Sequence, residues 1–336
     1  MYHANVSALF RQILVTGASG FLGGHVVRTL QRRDVAVRAH GRDAARLRFD
    51  GNVHVCRGDL TDLATLTDAA RGCDAIVHAG ALSAPWGARQ DFIDANVAGT
   101  ANVIAAARAT GVRRLVHFSS PAVLFDGRDQ IGVDDTEPYP ARFSSEYART
   151  KHLAELLVRG AGSALETVIL RPKAIYGEGD RALVPRLLRA AREGRLPQIG
   201  DGTNEVDVTH VDDVVRAVTC ALTTEGGIGK TFLVTGDEHV PLWPMIRELL
   251  SGVGLPAPQR QVPLGLALVA ARAMEATARV TGREPSLTRY SAQILARTQT
   301  YDIARTRQLL GYDPRVTASS GIARTIDALR AAGAAG

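Results

Sequence analysis

Short apolar runs alternate with stretches of helical periodicity through the first half of the chain. Gln12-Ile13-Leu14-Val15-Thr16, Val35 to Ala39, Ile76-Val77-His78 and Leu115 to Phe118 are each too short and too evenly apolar for a helix. Such runs read as parallel strands covered on both faces. Between them, segments such as His25 to Leu30 repeat their apolar positions at helical spacing. The alternation continues to about residue 170 and predicts an α/β fold, a doubly wound parallel sheet with ligand at the carboxyl ends of its strands. Beyond Gly177 the pattern changes: a helix over Arg181 to Arg192, a loop and short strand to Asp207, a helix over Val211 to Leu222, and a strand at Thr231 to Thr235. Residues 241 to 296 are mostly helical. The expected division is 11–177 for the sheet and 178–335 for a smaller, mostly helical lobe whose strands and helices return to it.

Within that lobe Val262 to Ala271 is the most apolar segment of the chain. About ten residues cannot span a bilayer, and continuation through Arg272 and Glu275 predicts a helix with one apolar face. Core packing or a dimer contact is the leading expectation, followed by a wall for a long-chain or sterol-like ligand and then by loose membrane contact.

Composition narrows the classes. The chain has 336 residues, 46% of them hydrophobic, and a net charge of +6. No segment is apolar enough to cross a membrane, and Met1 to Arg11 lacks the pattern of a secretion signal. Cys56, Cys73 and Cys220 show no paired spacing and read as buried thiols of a cytoplasmic protein. The nine histidines never fall at metal-ligand spacing. His152 reads as a helix-face residue, and His210 as the cap or anchor of the helix that follows it. Arginines are scattered along every predicted helix instead of clustering with aromatics, which argues against nucleic acid. A small anionic ligand accounts for the basic bias, and a homodimer is the expected assembly.

Two motifs carry chemistry. Gly17-Ala18-Ser19-Gly20-Phe21-Leu22-Gly23 stands between a strand and a helix. Gly17 permits the tight turn, Gly20 the approach of a pyrophosphate, and Gly23 the packing of helix on strand. The helix N-terminus offers free N–H groups to the phosphates. At the end of the second strand, where a carboxylate would hold a free ribose 2′-hydroxyl, stand His40 and, two residues on, Arg42. A guanidinium suits a 2′-phosphate, so NADP(H) is expected over NAD(H), with Asp43 the alternative ribose acceptor. The second motif is Tyr147-x-x-x-Lys151, whose spacing places both side chains on one helix face. An ammonium close to the phenol should lower its pKa and make it a usable acid near neutral pH. Only Lys151, Lys173 and Lys230 among the 40 basic residues are lysines, so the one in this motif is not compositional noise.

The first 180 residues resemble the extended short-chain dehydrogenase/reductase superfamily. The resemblance rests on Thr16-Gly17-x-x-Gly20-x-x-Gly23, Gly58-Asp59-Leu60, Ile76 to Ala81, Asn96-Val97-x-Gly99-Thr100-x-Asn102-Val103, Ser119-Ser120, Tyr147-x-x-x-Lys151 and Arg171-Pro172-Lys173-Ala174-Ile175-Tyr176-Gly177. It implies a Rossmann sheet. It also implies that Asp59 and Leu60 meet the adenine, that Ala79, Gly80 and Ala81 lie beneath the nicotinamide ribose, and that Pro172, Ala174 and Ile175 lie near the carboxamide. Ser19, Phe21 and Leu22 would line the pyrophosphate, and Ser120, Tyr147 and Lys151 would form the catalytic set. Ala84-Pro85-Trp86-Gly87, Ser119-Ser120-Pro121 and the run from Leu287 to Tyr312 are similar to the branch of 3β-hydroxysteroid dehydrogenases and 2-alkyl-3-oxoalkanoate reductases. In that branch Ser83, Trp86, Ser120 and Tyr147 would face the substrate. Gly80, where many relatives carry alanine, is expected to loosen the turn.

The reading is therefore an oxidoreductase interconverting a ketone and a secondary alcohol on an apolar small molecule. Two rivals stand beside it. One is a nucleotide-sugar epimerase or dehydratase with retained NAD, and the other a non-catalytic NADP(H)-responsive binding protein.

Overall fold

The computed structural model describes residues 6–333; the first five residues of the expected signal-free N-terminus, and residues 334 and 335 of the expected second lobe, lie outside them. Seven strands form one sheet: β1 (Gln12–Thr16), β2 (Ala36–Gly41), β3 (Val53–Arg57), β4 (Ala75–His78), β5 (Arg114–Phe118), β6 (Glu166–Pro172) and β7 (Lys230–Val234). Their order is β3-β2-β1-β4-β5-β6-β7, and every neighbouring pair runs parallel. The direction of winding reverses between β1 and β4, which opens a crevice at their carboxyl ends.

Both faces of the sheet are covered, which is why its strands are apolar without alternation. Helices Phe21–Gln31 and Val211–Thr223 lie over one face, their Val26, Val27, Val214 and Val218 meeting Ile13, Val15 and Val77. Helices Leu63–Ala70, Gly99–Thr110 and Glu146–Arg159 cover the other, with Leu66, Val103, Ile104 and Val158 packed on Leu14, Ile76 and Leu115. β2 continues one turn of register further than the sequence pattern implied and takes in His40 and Gly41. β7 begins one residue earlier than expected, at Lys230. His210 caps helix Val211–Thr223, its ring nitrogen accepting from the Asp212 N–H at 3.2 Å, as expected.

A second sheet of four strands, ordered His239–Pro241, Glu205–Asp207, Gln299–Tyr301, Gln130–Val133, draws on both halves of the chain. Around it, helices Leu183–Arg192, Leu242–Gly252, Leu264–Thr281, Arg289–Ala296 and Ala318–Ala331 build a third core centred on the fully buried Trp243. The Trp243 indole N–H donates to the Leu295 carbonyl at 3.1 Å. No helix among the described residues is long and apolar enough to cross a membrane, and no group among them could hold a metal ion. Cys73 and Cys220 are buried, but Cys56 is only half-buried because β3 is the sheet's edge.

Candidate active site

The glycine turn is built by contact distance. A Cβ on Gly17, whose φ is +70°, would lie 2.6 Å from the Gly80 Cα, and one on Gly23 would lie 2.2 Å from the Gly17 carbonyl oxygen. Either would push the first helix off β1. Gly20 caps that helix in an extended conformation with no side-chain acceptor. The first-turn N–H groups at Phe21 and Leu22 are thus left for a phosphate. Gly80 does not loosen the turn. Its Cα is the surface against which Gly17 closes, with Leu60 on its other side and its N–H 3.4 Å from the Thr16 hydroxyl. Ala79 and Ala81 flank it at the crevice floor, where β1 and β4 diverge.

At the adenosine end, His40 turns away from the crevice. Its ring is buried beside Gly58 and Thr65, both nitrogens lack a partner, and burial pushes its pKa down. Gly41 faces the crevice instead, and a Cβ there would sit 2.8 Å from the Ser19 Oγ. Arg42 projects into solvent with its side chain 80% exposed, 3.6 Å from the Asp59 carboxylate. Asp59 is held below the usual carboxylate range chiefly by the Thr61 N–H, which donates to it at 2.9 Å. Bare backbone at Gly17, Gly20 and Gly41, an uncapped helix start and a projecting guanidinium together fit a nicotinamide dinucleotide.

Helix Glu146–Arg159 carries the Tyr147–Lys151 pair. Its start is set by Ser145, whose hydroxyl accepts from the Ala148 N–H at 3.1 Å, and by Glu146 in the first turn. Tyr147 is half-buried, with the hydroxyls of Ser120 and Ser83 close enough to favour its phenolate. Ser120, two residues past β5, is extended and caps the short turn Pro121–Leu124, its oxygen accepting from the Ala122 N–H at 3.2 Å. With a lone pair so engaged, its O–H is free to donate. Lys151 is buried and its ammonium donates to the Phe118 carbonyl. The electrostatics differ from the sequence expectation. Burial raises the phenol pKa of Tyr147, and the opposing pull comes from Ser120 and Ser83, not from Lys151. Lys151 itself is lowered to about 8, because burial outweighs the nearby charge of Glu155.

Residues 13–235 match the model of the NAD dependent epimerase/dehydratase family. The chain belongs to that family. It is 38% identical over 325 residues to a 2-alkyl-3-oxoalkanoate reductase of Stenotrophomonas maltophilia (strain K279a), covering 93% of this chain and 98% of the relative. It is 31% identical over 336 residues to the decarboxylating sterol-4-alpha-carboxylate 3-dehydrogenase of Homo sapiens, covering 95% and 88%. Among solved structures it is similar to MoeE5 in complex with UDP-glucuronic acid and NAD, with a TM-score of 0.74, 27% identity, and coverage of 96% of this chain and 99% of that one. As a member of this family the protein is an NAD(P)-dependent oxidoreductase.

A buried charged clamp supports the family's reactive residues from below. Glu155, one helical turn after Lys151, accepts two hydrogen bonds from the Arg171 guanidinium, at 2.8 and 2.7 Å, and one from the Tyr139 hydroxyl at 2.5 Å. Burial works to raise Glu155, and Arg171, Ser119 and Tyr139 outweigh it and hold the carboxylate ionised. The clamp thus joins the helix of Tyr147, the Tyr139 segment before it, and the strand ending in Pro172. At the end of β4, His78 bridges the hydroxyls of Thr16 and Thr100 at 2.7 and 3.0 Å. Burial and the Lys151 charge push it down to about 3, so it stays neutral. Asn96, in a wide helical turn, holds the Leu82 backbone by both of its amide atoms and reaches the Thr150 hydroxyl at 3.0 Å. That ties the Ser83 loop to the Tyr147 helix.

Of the remaining site features, the positive φ of Ala174, the packing of Tyr290 and the contact of Arg181 escaped the sequence reading. Ala174 adopts φ +41°, a rare conformation for a residue with a Cβ, between Lys173 and Ile175. Pro172 ends β6, and Ile175 starts a two-residue strand paired with Thr209–His210. Lys173 is buried, donates to the Gln299 side chain at 2.6 Å and is lowered by burial to about 8. Tyr290, in the run noted only as a branch resemblance, packs edge-on against Phe125 at 6.3 Å and is raised by burial and, to a lesser degree, by the charge Tyr147 would carry. Arg181 reaches back to the Ser19 carbonyl of the glycine turn. Trp86 lies half-buried in the loop after Ser83.

Proposed function

We propose that the protein is an NADP(H)-dependent oxidoreductase that interconverts a ketone and a secondary alcohol on an apolar small molecule. The favoured substrates are a 2-alkyl-3-oxo acid or a 3-oxo/3β-hydroxy sterol. The observation that carries the reading is the convergence of the Tyr147, Ser120 and Ser83 hydroxyls beside the glycine cradle, with the Lys151 ammonium one turn behind. The relatives that match almost end to end, and are named as ketone reductases and sterol dehydrogenases, support the substrate class.

A bound reduced dinucleotide supplies the hydride that reaches the carbonyl carbon. The chain supplies everything at the oxygen. Ser120 donates a hydrogen bond that draws charge onto it, and Tyr147 delivers its phenolic proton to it. Ser120 and Ser83 stabilise the phenolate left behind, and Lys151 holds the ribose hydroxyls. Holding the carbonyl in line, between the seven-stranded sheet and the helical lobe around Trp243, supplies much of the acceleration. Preference for the 2′-phosphate form is supported by Gly41, which removes any carboxylate from the end of β2, and by the projecting Arg42.

The likeness to a nucleotide-sugar complex favours the epimerase as second reading. A steady-state assay separates the two. With NADPH, 3-oxo acids of increasing chain length should be reduced several-fold more efficiently per carbon until the site is full, since a buried methylene contributes about 0.8 kcal/mol. Turnover confined to a nucleotide sugar, or a flat chain-length profile, would overturn the proposal.

A further inference from the structure

Helix Leu264–Thr281 shows a face that nothing among the described residues covers. It is held to the protein by Ala267, Ala271, Glu275 and Ala278, which are buried, and by Leu264 and Leu268, which are partly buried against the third core; Glu275 is fixed by the Arg289 N–H and guanidinium at 2.8 and 2.9 Å. Its other bulky side chains are exposed. Leu266 is 64% exposed, Val269 69% and Val280 89%, with Met274 also exposed. Successive positions turn by about 100°, so Leu266, Val269, Ala270, Ala273, Thr277 and Val280 form one stripe along the whole helix, opposite the buried face. Core packing, the expectation set beside a dimer contact for the run from Val262 to Ala271, holds for part of it: Val262, Leu264, Ala267 and Leu268 pack in the third core and Ala271 is buried, whereas Leu266 and Val269 face outward.

Charge decides what the stripe suits. The helix has one acid, Glu275, and it is buried and paired. Arg272 and Arg279, seven residues apart, are exposed along one flank of the stripe. A second copy of the chain would bring two more arginines and no carboxylate to meet them. An apolar stripe flanked by unopposed arginines matches an anionic lipid surface, with the apolar side chains at the acyl boundary and the guanidiniums at the phosphates. The helix also lies directly against helix Arg289–Ala296, which carries Tyr290, a residue electrostatically coupled to Tyr147. Docking here brings the bilayer within one helix layer of the candidate site.

We propose that helix Leu264–Thr281 is a peripheral docking surface for anionic phospholipid bilayers, lying in the interface without crossing it. The reason such docking is useful, delivery of an apolar ketone, rests on the proposed function; the docking itself does not.

The test is co-sedimentation of the full chain with sucrose-loaded vesicles, either phosphatidylglycerol with phosphatidylethanolamine or phosphatidylcholine alone. The wild type should pellet with the anionic vesicles and stay largely in solution with the neutral ones. Leu266→Glu with Val269→Glu should lower the bound fraction at least tenfold, and Arg272→Gln with Arg279→Gln several-fold. All four positions are exposed, so NADPH binding, read by nucleotide fluorescence, should be unchanged and should report intact folding. Absence of anionic-vesicle binding, or binding indifferent to Leu266 and Val269, overturns the proposal. So does an apolar double variant whose only effect is to turn a dimer into a monomer by light scattering, since the stripe would then meet a second copy. If vesicle binding holds and no ketone is reduced, the substrate reading fails and the docking surface stands.

Discussion

The two sides of the crevice are built by different means. On the sheet side, the cradle is made of backbone: Gly17 closes on Gly80, Gly23 on Gly17, and the helix start at Gly20 is bare. Its parts come mostly from residues adjacent in the chain. The lobe side is made of side chains from distant segments. Lys173 meets Gln299, Arg297 meets Asp129 at 3.3 Å, Tyr290 meets Phe125, and the Tyr301 hydroxyl donates to Gln130 at 3.0 Å. A dinucleotide is the same molecule for every relative and can be held by a fixed local motif. A substrate differs between relatives, and a surface made of long-range contacts can change one residue at a time without disturbing the cradle.

The largest effect should come from breaking the buried clamp on the sheet side. Glu155→Ala leaves the Arg171 guanidinium buried without its carboxylate, which should cost about 3–5 kcal/mol of stability. Thermal unfolding reads this directly, and a change below about 1 kcal/mol would mean that the clamp does not tie the elements together. Next is Tyr147→Phe, which keeps the ring and removes the acid. Turnover should fall by on the order of two decades or more while NADPH binding is retained; near-normal turnover would remove Tyr147 from the mechanism.

The third concerns pH. Lys151 and Lys173 both sit at about 8 in the folded protein against an ordinary 10.5. Between those values the unfolded chain binds more protons than the folded one, so their contribution to stability rises with pH there and is flat below about 8. Ribose holding by Lys151 runs the other way, because it needs the ammonium. The Michaelis constant for NADPH should therefore climb above pH 8, up to about tenfold per unit, while the melting temperature does not fall in step. A parallel loss of both would place the titration elsewhere. The smallest effect is Arg42→Ala. The side chain is exposed, so the loss should be roughly three- to tenfold for NADPH and near nothing for NADH. Equal effects on the two cofactors would dissociate Arg42 from the 2′-phosphate.

This asymmetry also explains what could be read from the chain alone. The parallel sheet, the cradle and the Tyr147–Lys151 pair lie in contiguous stretches whose spacing carries their geometry. Gly41 was overlooked because β2 runs further than its apolar pattern. Tyr290 and the left-handed Ala174 become visible only once residues more than a hundred positions apart meet. The Val262–Ala271 run announced its apolarity but not its direction, since periodicity defines a face without saying what that face touches. The expected effect of Lys151 on Tyr147 failed for a related reason. Helical spacing gave the shared face but not the burial, which raises the phenol and turns the ammonium to the Phe118 carbonyl.

The central claim is net transfer of hydride to a ketone with the proton supplied at Tyr147. The most direct measurement is the fate of deuterium when the protein is mixed with C4-deuterated NADPH and a long-chain 2-alkyl-3-oxo acid. The account predicts one deuterium at C3 of the hydroxy acid for each NADP⁺ formed, and neither product with Tyr147→Phe. Deuterium that stays on the cofactor while a nucleotide sugar is isomerised, with no NADP⁺ accumulating, would contradict it.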